Sequence, residues 1–513
     1  MSLRILLLFL PLWLCAKPFK VATYNVENLF DAVCQGSEYD DYLPGKHCWS
    51  KEMVEVKLNH TAEVICDLNA DIIGLQEIEN GTILEQLRVR LKEVGCNYPY
   101  ASITHTKESA IQVALLSKFP IQNSYEVKVG EGRGIRNILE VEVAVEKHPL
   151  TLFVNHWKSK SYNGYESKRI PYAEKLQSRI ATFPPEKAYI ILGDFNSDYN
   201  AYETLEEHID DTHGKTALSD VLQTKVGDKL VTEEEIITAP RGVHLTLWQE
   251  LPVRERWSLK YYGKTSSADQ IILPSTLFDG RGVEYVNNSF QVFKPDYLFT
   301  KEGYIYRWKV HKKKHSGKGY SDHLPVYAYF DTVPYKIEKK LAVEEKSIED
   351  LYQLDALKYP ALLKDVVVVF KRGKHAVVKQ RKNGRGIFLF GCAGKLKEGD
   401  IYDLIVGQIY HYGGLKEITS LEHIEKKGSV DTERYSLKGI GKTMQQNEVI
   451  RGIEGIYRDN HLYWEGKVMP IYFKKRELIP QNGSRLKINY AHLGYYKGLQ
   501  IVIYDKKDFK ILE

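Results

Sequence analysis

Six apolar segments in the N-terminal part of the chain each carry, at one end, a polar side chain that can do chemistry. Apolar runs of this length predict buried strands, and ligand sites in sheet proteins form where strand ends converge. A single buried Asp or His is usually a satisfied structural residue, but six such segments together predict one site. The polar residues are Asn25, Glu77, His156, Asp194, Asn196, Asp269, Asp322 and His323.

The residue types indicate a divalent metal and phosphate chemistry. Carboxylates with an amide oxygen form a hard site that suits Mg²⁺, with Mn²⁺ or Ca²⁺ as alternatives. Two histidines without cysteine partners do not fit structural zinc. Phosphodiester hydrolysis needs an ion to offset the charge developing on the phosphate, a carboxylate or His to activate water, and neutral donors for the non-bridging oxygens.

The elements that must position these residues alternate between strands and helices, which predicts an α/β layered domain with a mixed sheet. The helices are predicted from apolar residues at helical spacing, at Lys51–Leu68, Leu84–Glu93 and Tyr172–Ala181. The predicted strands are Lys20–Thr23, Ile72–Leu75, Gln112–Leu116, Ile138–Val145, Leu150–Val154, Tyr189–Leu192, Gln270–Leu273, Tyr297–Phe299 and Val326–Phe330.

Six motifs in this order give a specific signal across residues 19–330: TYNVENLFD (23–31), ADIIGLQEIEN (70–80), VNHWKSK (154–160), ILGDFNSD (191–198), SSAD (266–269) and SDHLP (321–325). The set resembles the endonuclease/exonuclease/phosphatase superfamily, and most of all its extracellular nuclease branch, which includes pancreatic-type deoxyribonucleases. The resemblance implies a four-layered α/β/β/α sandwich of mixed sheets.

The resemblance also implies roles for the metal and the attacking water. Glu77 is expected to be a metal ligand, with Asn25 and Asp322 near the metal. Asp194 is expected to orient or deprotonate the water. Which group acts as the general base is left open by the sequence.

The remaining implied roles concern the phosphate. Asn196 is expected to hold a phosphate oxygen, and His156 to contact the phosphate from the other side. His323 is expected to pair with Asp269 as an acid/base or phosphate-stabilising dyad.

Basic residues near these motifs are candidate contacts to the substrate backbone, although solvated turns are the alternative. Two arginines lie in GEGRGIRN, the first of two lysines in VNHWKSK is a further candidate, and a lysine run leads into the last motif. The candidates are Arg133, Arg136, Lys158, Lys312, Lys313 and Lys314.

Charge separates the end of the chain from the rest. Residues 334–513 hold 33 Lys and Arg against 23 Asp and Glu, a net charge of +10 within a chain of net charge +5. Such a basic segment indicates a polyanionic partner. The stretch 333–350 is charged and poor in large apolar residues, which predicts a linker there.

Beyond the linker the sequence consists of short strands and glycine turns, and it aligns with itself at a shift of 84 residues. This predicts two small all-β barrels resembling OB-folds, with aromatic residues that either stack bases or pack the cores. The aromatic candidates are Phe388, Phe390, Tyr410 and Tyr412 in the first copy and Tyr472, Tyr495 and Tyr496 in the second.

The predicted domains are a signal peptide (1–16), a catalytic domain (17–332), the linker (333–350) and two β domains (351–430 and 431–513). Residues Ile5–Ala16 form an apolar run that fits a secretory leader and is too short to span a membrane. Export to the periplasm or the extracellular space is therefore predicted. A lipid anchor on Cys15 is the alternative, and Leu14 is large for such a site.

Export makes disulfides reasonable. Cys34–Cys48 closes a short loop and is the first predicted pair, Cys66–Cys96 is the second, and Cys392 is left over.

The sequence therefore predicts an exported, metal-dependent nuclease whose C-terminal β domains tether nucleic acid, with no stable membrane partner. DNA and RNA are both open as substrates. The first alternative is a sphingomyelinase-type phospholipase C or a phosphoinositide phosphatase of the same superfamily. The second is a surface module that binds polyanions and carries a vestigial hydrolytic site.

Overall fold

The computed structural model describes residues 18–107, 109–132, 134–161, 164–261, 263–336, 343–357, 359–438 and 444–512. The predicted signal peptide and Arg133 lie outside these residues. The described residues up to 336, without Pro252–Arg254, form one compact unit. Pro252–Arg254 and the described residues from 343 onward form the second unit. None of the described helices is both long enough and apolar enough to cross a membrane.

The first unit alternates strands with helices along the chain. Its main elements are β1 (Phe19–Leu29), α1 (Lys51–Leu68), β2 (Ile72–Ile78), α2 (Gly81–Glu93), β3 (Tyr100–Ile103), β4 (Gln112–Ser117), β5 (Ile121–Val127), β6 (Ile138–Val145), β7 (His148–His156), α3 (Ile170–Ile180), β8 (Tyr189–Asp194), β9 (Asp269–Leu273) and β10 (Val326–Asp331). Shorter pieces are the strands Leu245–Thr246, Glu284–Tyr285 and Gln291–Val292 and the helices Ala201–Thr204 and Glu233–Ile236.

These strands form two mixed sheets. The first has the order Glu284–Tyr285, β10, β1, β2, β4, β3, in which only β1 and β2 run parallel. The second has the order Leu245–Thr246, β9, β8, β7, β6, β5, in which only β7 and β8 run parallel. The predicted mixed α/β fold is confirmed.

One apolar core lies between the two sheets and contains Ile72 and Leu192, one from each sheet. The sheets approach so closely that a Cβ on Gly74 would clash with the Leu192 side chain. The helices α1 and α2 pack with β2 and β4 in a second core, and α3 packs with β7 and β8 in a third.

Local sequence signals fix the ends of the two long helices. The Ser50 side chain accepts a hydrogen bond from the backbone N–H of Met53 at the start of α1, and Asn69 ends that helix in the left-handed conformation. Asn80 caps α2 in the same way through the N–H of Ile83. These caps explain why the first predicted helix has the observed bounds.

The second unit is built from strands in two groups. The first β module contains β11 (Ala361–Arg372), β12 (His375–Lys379), β13 (Gly386–Leu389), β14 (Asp400–Tyr412) and β15 (Leu415–Ser429). The second β module contains β16 (Glu448–Arg451), β17 (Ile453–Arg458), β18 (His461–Trp464), β19 (Lys467–Phe473), β20 (Arg485–Ile488), β21 (Ala491–Tyr495), β22 (Leu499–Ile503) and β23 (Phe509–Leu512).

The two modules pair their strands in the same order. In the first, β11–β12–β13–β15–β14 form a ring that closes through β11 and β14, and β13 runs parallel to β15. In the second module, the strand equivalent to β11 is divided into β16 and β17, and the strand equivalent to β14 is divided into β20 and β21. β16 pairs with β21, and β17 pairs with β20. Its parallel pair is β19 with β22. The short helix Ile348–Tyr352 packs into the first module, so this module begins before residue 350.

One predicted strand is wrong. Residues Tyr297–Phe299 lie in and after a 3-10 helix, Asp296–Leu298, and only Phe299 makes an isolated bridge, to Ile305. Pro295 precedes the helix, and it favours a turn over a continuing strand.

The first predicted disulfide, Cys34–Cys48, is also wrong, whereas Cys66–Cys96 is present. Cys34 and Cys48 are both exposed free thiols. Cys48 has φ of 64° in a turn that buries the neighbouring Trp49, so its own side chain faces solvent. Cys34 Sγ lies 3.8 Å from a carboxylate oxygen of Glu38 instead.

The Cys66–Cys96 bond joins the end of α1 to the segment after α2, across 30 residues. Breaking it with Cys66→Ser should lower the free energy of unfolding of the first unit by about 3 kcal/mol, because the unfolded chain is released from a closed loop. Urea unfolding of this variant beside Cys34→Ser measures the effect. Equal midpoints for both variants would contradict it.

Candidate active site

The parallel strand pairs bring the predicted residues to one edge of the two sheets. The register places His156 of β7 beside Asp194 of β8, and Asp194 beside Asp269, which opens the antiparallel strand β9. In the other sheet, Asn25 of β1 pairs with Gln76, the neighbour of Glu77. The converging strand ends predicted from the sequence are therefore observed.

Asn25 links the carboxylates of the two sheets. Its Nδ2 atom donates to Glu77 Oε1 and to Asp194 Oδ2, at 3.1 Å in each case. Its amide oxygen accepts the backbone N–H of Glu27. In this arrangement Asn25 orients the two carboxylates and turns its oxygen, the atom expected near the metal, towards the backbone.

Glu77 is held in a fixed orientation next to a second carboxylate. Its backbone has φ of 67°, and its Oε2 atom accepts the N–H of Asn28 at 2.9 Å. Burial raises the pKa of Glu77, and the carboxylate of Asp322 raises it further. The two acidic groups therefore repel each other across this part of the site.

Asp194 is fully buried and lies between two histidines. Its Oδ2 atom is 3.5 Å from Nε2 of His156 and 3.9 Å from Nε2 of His323. The backbone N–H of Asn196 donates to Oδ1 at 2.8 Å. Burial raises the pKa of Asp194, His323 opposes the rise, and the carboxylate of Asp269 adds to it.

The two histidines differ in charge. Burial, and then the nearby charges of Arg136 and His323, hold the pKa of His156 well below its usual value, so this ring is neutral. Burial also acts to lower the pKa of His323, but the carboxylates of Asp269 and Asp194 outweigh it and raise that pKa well above its usual value.

The Asp269–His323 pair has the geometry of a dyad. His323 Nδ1 lies 2.8 Å from Asp269 Oδ2, and the Ser258 hydroxyl donates to the same oxygen at 2.6 Å. One ligand atom each from Asp194, Asp269 and His323 lies within 4.8 Å of the other two, close enough to hold one ion.

A second group of charges supports the site and was missed from the sequence. Arg307 pairs with the buried carboxylate of Glu27, and its Nη2 atom also lies 3.4 Å from Asp322 Oδ2. Burial and the carboxylate of Asp322 raise the pKa of Glu27, while Arg307 and the buried Lys57 oppose the rise. Glu27 lies inside the motif TYNVENLFD and could have been found from the sequence, whereas Arg307 lies in none of the six motifs.

The predicted substrate contacts are distributed unevenly. The Arg136 guanidinium is buried and donates to the backbone carbonyls of His156 and Trp157 at 2.9 and 2.7 Å, so it fixes the chain beside His156. Burial, and then the charges of Arg136 and Lys168, lower the pKa of Lys158.

The three other predicted lysines lie on a separate hairpin. Strands Val310–His311 and Lys314–His315 pair there, and the turn between them carries positive φ at Lys312 and Lys313. Lys312, Lys313 and Lys314 are exposed, as a solvated turn would have them.

Comparison with known proteins identifies the family. The sequence matches the Endonuclease/Exonuclease/phosphatase family over residues 20–332, more than half of the chain, so the protein belongs to this family. Members of this superfamily are phosphodiesterases and nucleases that use metal ions. A comparison with curated proteins gives no match.

Solved structures resemble the chain only distantly. A TDP2 from D. rerio, crystallised with a single-strand DNA product, is 14% identical, with 61% of this chain and 98% of that chain covered and a TM-score of 0.39. An AP endonuclease from Archaeoglobus fulgidus is 14% identical, with 60% of this chain and 98% of that chain covered and a TM-score of 0.37. An endonuclease/exonuclease/phosphatase family protein from Bacteroides thetaiotaomicron is 13% identical, with 62% of this chain and 98% of that chain covered and a TM-score of 0.37.

The ionisation of His323 can be tested directly. In metal-free protein its ring should remain protonated above the usual range of a histidine pKa, and Asp269→Asn should lower its pKa because the paired carboxylate is lost. Because the pKa is raised on folding, this charge stabilises the fold below the pKa of the unfolded chain, and the stabilisation is lost as pH rises through the folded value. NMR of ¹⁵N-labelled histidines measures the His323 titration in the parent protein and in Asp269→Asn. The exposed His423 is the internal control, and an unchanged His323 titration in Asp269→Asn would disprove the pairing.

Proposed function

We propose that the protein is an exported, metal-dependent nuclease that hydrolyses phosphodiester bonds of DNA or RNA. One observation carries the proposal: Asp194 lies buried between a neutral and a charged histidine, at a sheet edge that also holds Glu77 and Asp269. Such a site offers a proton acceptor and a cationic donor within one small volume.

The donor set fits a divalent cation. Burial, and then the nearby carboxylate of Asp322, raise the pKa of Glu77, and a cation bound beside these two groups would stabilise the charged form of Glu77. Carboxylate oxygens are the ligands that Mg²⁺ prefers, and Mn²⁺ or Ca²⁺ would accept them too. We assign Glu77 and Asp322 as ligands and Asn25 as the residue that orients Glu77. When bound, the cation would neutralise charge on the scissile phosphate and acidify water.

The chain's own residues would handle the protons and the phosphate. Asp194 would orient or deprotonate the attacking water, because its carboxylate faces both histidines. The charged His323, fixed by Asp269, would stabilise negative charge on the phosphate or supply a proton to the leaving oxygen. His156 would donate from Nε2 as a neutral group, and Asn196 would hold a phosphate oxygen.

We further propose the layered and barrel architecture that the similarity to the superfamily implies. The catalytic domain (17–332) would be a four-layered α/β/β/α sandwich. Residues 351–430, extended at their start by the packed helix Ile348–Tyr352, and residues 431–513 would form two OB-like barrels that tether nucleic acid. The shared strand order, with a parallel pair of third and fifth strands in each module, supports the second assignment. The Cys66–Cys96 bond supports export, because disulfides persist in oxidising compartments.

A single cleavage experiment tests the proposed function. The chain from residue 17 onward, its Asp194→Ala and His323→Ala variants and the control Asp228→Ala, which changes an exposed residue, would be incubated with supercoiled plasmid, single-stranded DNA, RNA and sphingomyelin, each with Mg²⁺ or EDTA. We expect nucleic-acid cleavage that EDTA stops, that Asp194→Ala or His323→Ala abolishes, and that Asp228→Ala retains. Circular dichroism checks that the variants fold.

The opposite outcomes are equally informative. An Asp194→Ala or His323→Ala variant with more than a tenth of the rate, about 1.4 kcal/mol of lost transition-state stabilisation, would overturn that residue's role. Sphingomyelin hydrolysis without nucleic-acid cleavage would indicate the phospholipase branch. Binding of nucleic acid without any hydrolysis would indicate a polyanion-binding module with a vestigial site.

A further inference from the structure

The two β modules are held together by buried ion pairs. Arg372 of the first module donates to Asp508 of the second from Nε at 2.9 Å and from Nη2 at 2.6 Å, and Asp508 is completely buried. Lys379 Nζ lies 2.6 Å from Glu448 Oε2, again across the modules, and Lys379 is 1% exposed. Breaking either pair would leave a buried charge without a partner, so the pairs fix the relative placement of the modules.

Apolar contacts reinforce this joint. The His492 ring of the second module stacks on Phe388 of the first with centroids 4.5 Å apart and planes 16° apart. The same cluster contains Phe370 and Val449, one from each module. Residues of both modules that lie at the rim of the joint therefore keep a fixed spacing.

Aromatic rings continue from this core to the surface. His375 lies 4.9 Å from Phe390 and 6.2 Å from Tyr504 between ring centroids, so rings of both modules adjoin. Phe390 is 46% exposed, and Tyr472 of the second module is 48% exposed. The buried Phe388 packs the core, whereas these rings offer free faces to solvent.

Positive charge lies over the same rings. Lys474 Nζ is 5.7 Å from the ring centroids of both Tyr472 and Tyr504. Burial, and then the charges of Lys474 and Lys371, lower the pKa of His375, so its ring is neutral. Burial raises the pKa of the nearby Glu417 to about 7, although Lys474 opposes the rise, so this carboxyl group carries only part of a negative charge at neutral pH.

We propose that this joint surface, formed by His375, Phe390, Tyr472, Lys474 and Tyr504, binds a single strand of nucleic acid. Bases would stack on the exposed rings, and a backbone phosphate would pair with Lys474. A duplex keeps its bases stacked inside and would leave the rings unused. The inference rests on the proposed role of the β modules in tethering nucleic acid. It assigns that role to one surface, which residues of both modules form.

Fluorescence anisotropy with the chain from residue 17 onward tests the proposal. All proteins would carry Asp194→Ala and be kept in EDTA, so that the strand stays intact. The probes are a short oligothymidylate, an abasic strand of the same length and a duplex. Tyr463→Ala, an exposed ring elsewhere on the second module, and Lys382→Ala, an exposed lysine of the first, are the matched controls.

Phe390→Ala should weaken oligothymidylate binding by about 5-fold or more, the loss of one stacked base, and leave abasic-strand binding unchanged. Lys474→Ala should weaken binding of both strands and reduce the slope of log affinity against log salt by about 0.7, the value for one phosphate. Both controls should bind like the parent.

Equal losses on the thymidylate and abasic strands in Phe390→Ala, or no loss in either variant, would overturn the inference. So would a duplex that binds as tightly as the single strand. Because binding is measured without cleavage, failure here leaves the nuclease proposal standing. Conversely, base-dependent binding by a chain that cleaves nothing would reject the nuclease alone.

Discussion

The amide of Asn25 donates to carboxylates on two different sheets, and the candidate site depends on this link. The two sheets meet at a shared core, but their strand ends carry acidic groups that repel one another when buried. A single amide group between Glu77 and Asp194 compensates part of that repulsion and fixes both orientations. Burial, and then the carboxylate of Asp322, still raise the pKa of Glu77, and both effects make the site a favourable place for a cation.

The charged residues around this link determine which of the two histidines carries a proton charge. Asp269 keeps His323 charged, whereas the Arg136 guanidinium, held by two carbonyls, helps to keep His156 neutral. Arg307 is shared between Glu27 and Asp322 and so connects the supporting charges to the candidate metal ligands. Opposite protonation of two neighbouring histidines suits the acid–base chemistry proposed for this site.

Much of this arrangement could be predicted from the sequence, because it depends on strand ends. The run Ile138–Val145 and the helix Lys51–Leu68 have the predicted bounds, since strong apolar periodicity and a Ser cap specify them. Arg307 could not be predicted, because its pairing with Glu27 joins residues 280 positions apart.

The errors have similar causes. The Cys34–Cys48 pair failed because the backbone turn at Cys48, which buries Trp49, directs the thiol outward. Loop closure length carries no information about side-chain direction. In the β modules, apolar alternation located the strands, but it could not separate the core ring of Phe388 from the exposed ring of Phe390, two residues away on the chain.

Crystals soaked with Mn²⁺ would show whether Glu77 and Asp322 form a cation site beside Asp194. Anomalous scattering locates the ion without any assumption about substrate or activity. We expect a peak at about 2.2 Å from a carboxylate oxygen of Glu77, next to Asp322. A peak confined to Asp194, Asp269 and His323, or no peak at this edge of the sheets, would contradict it.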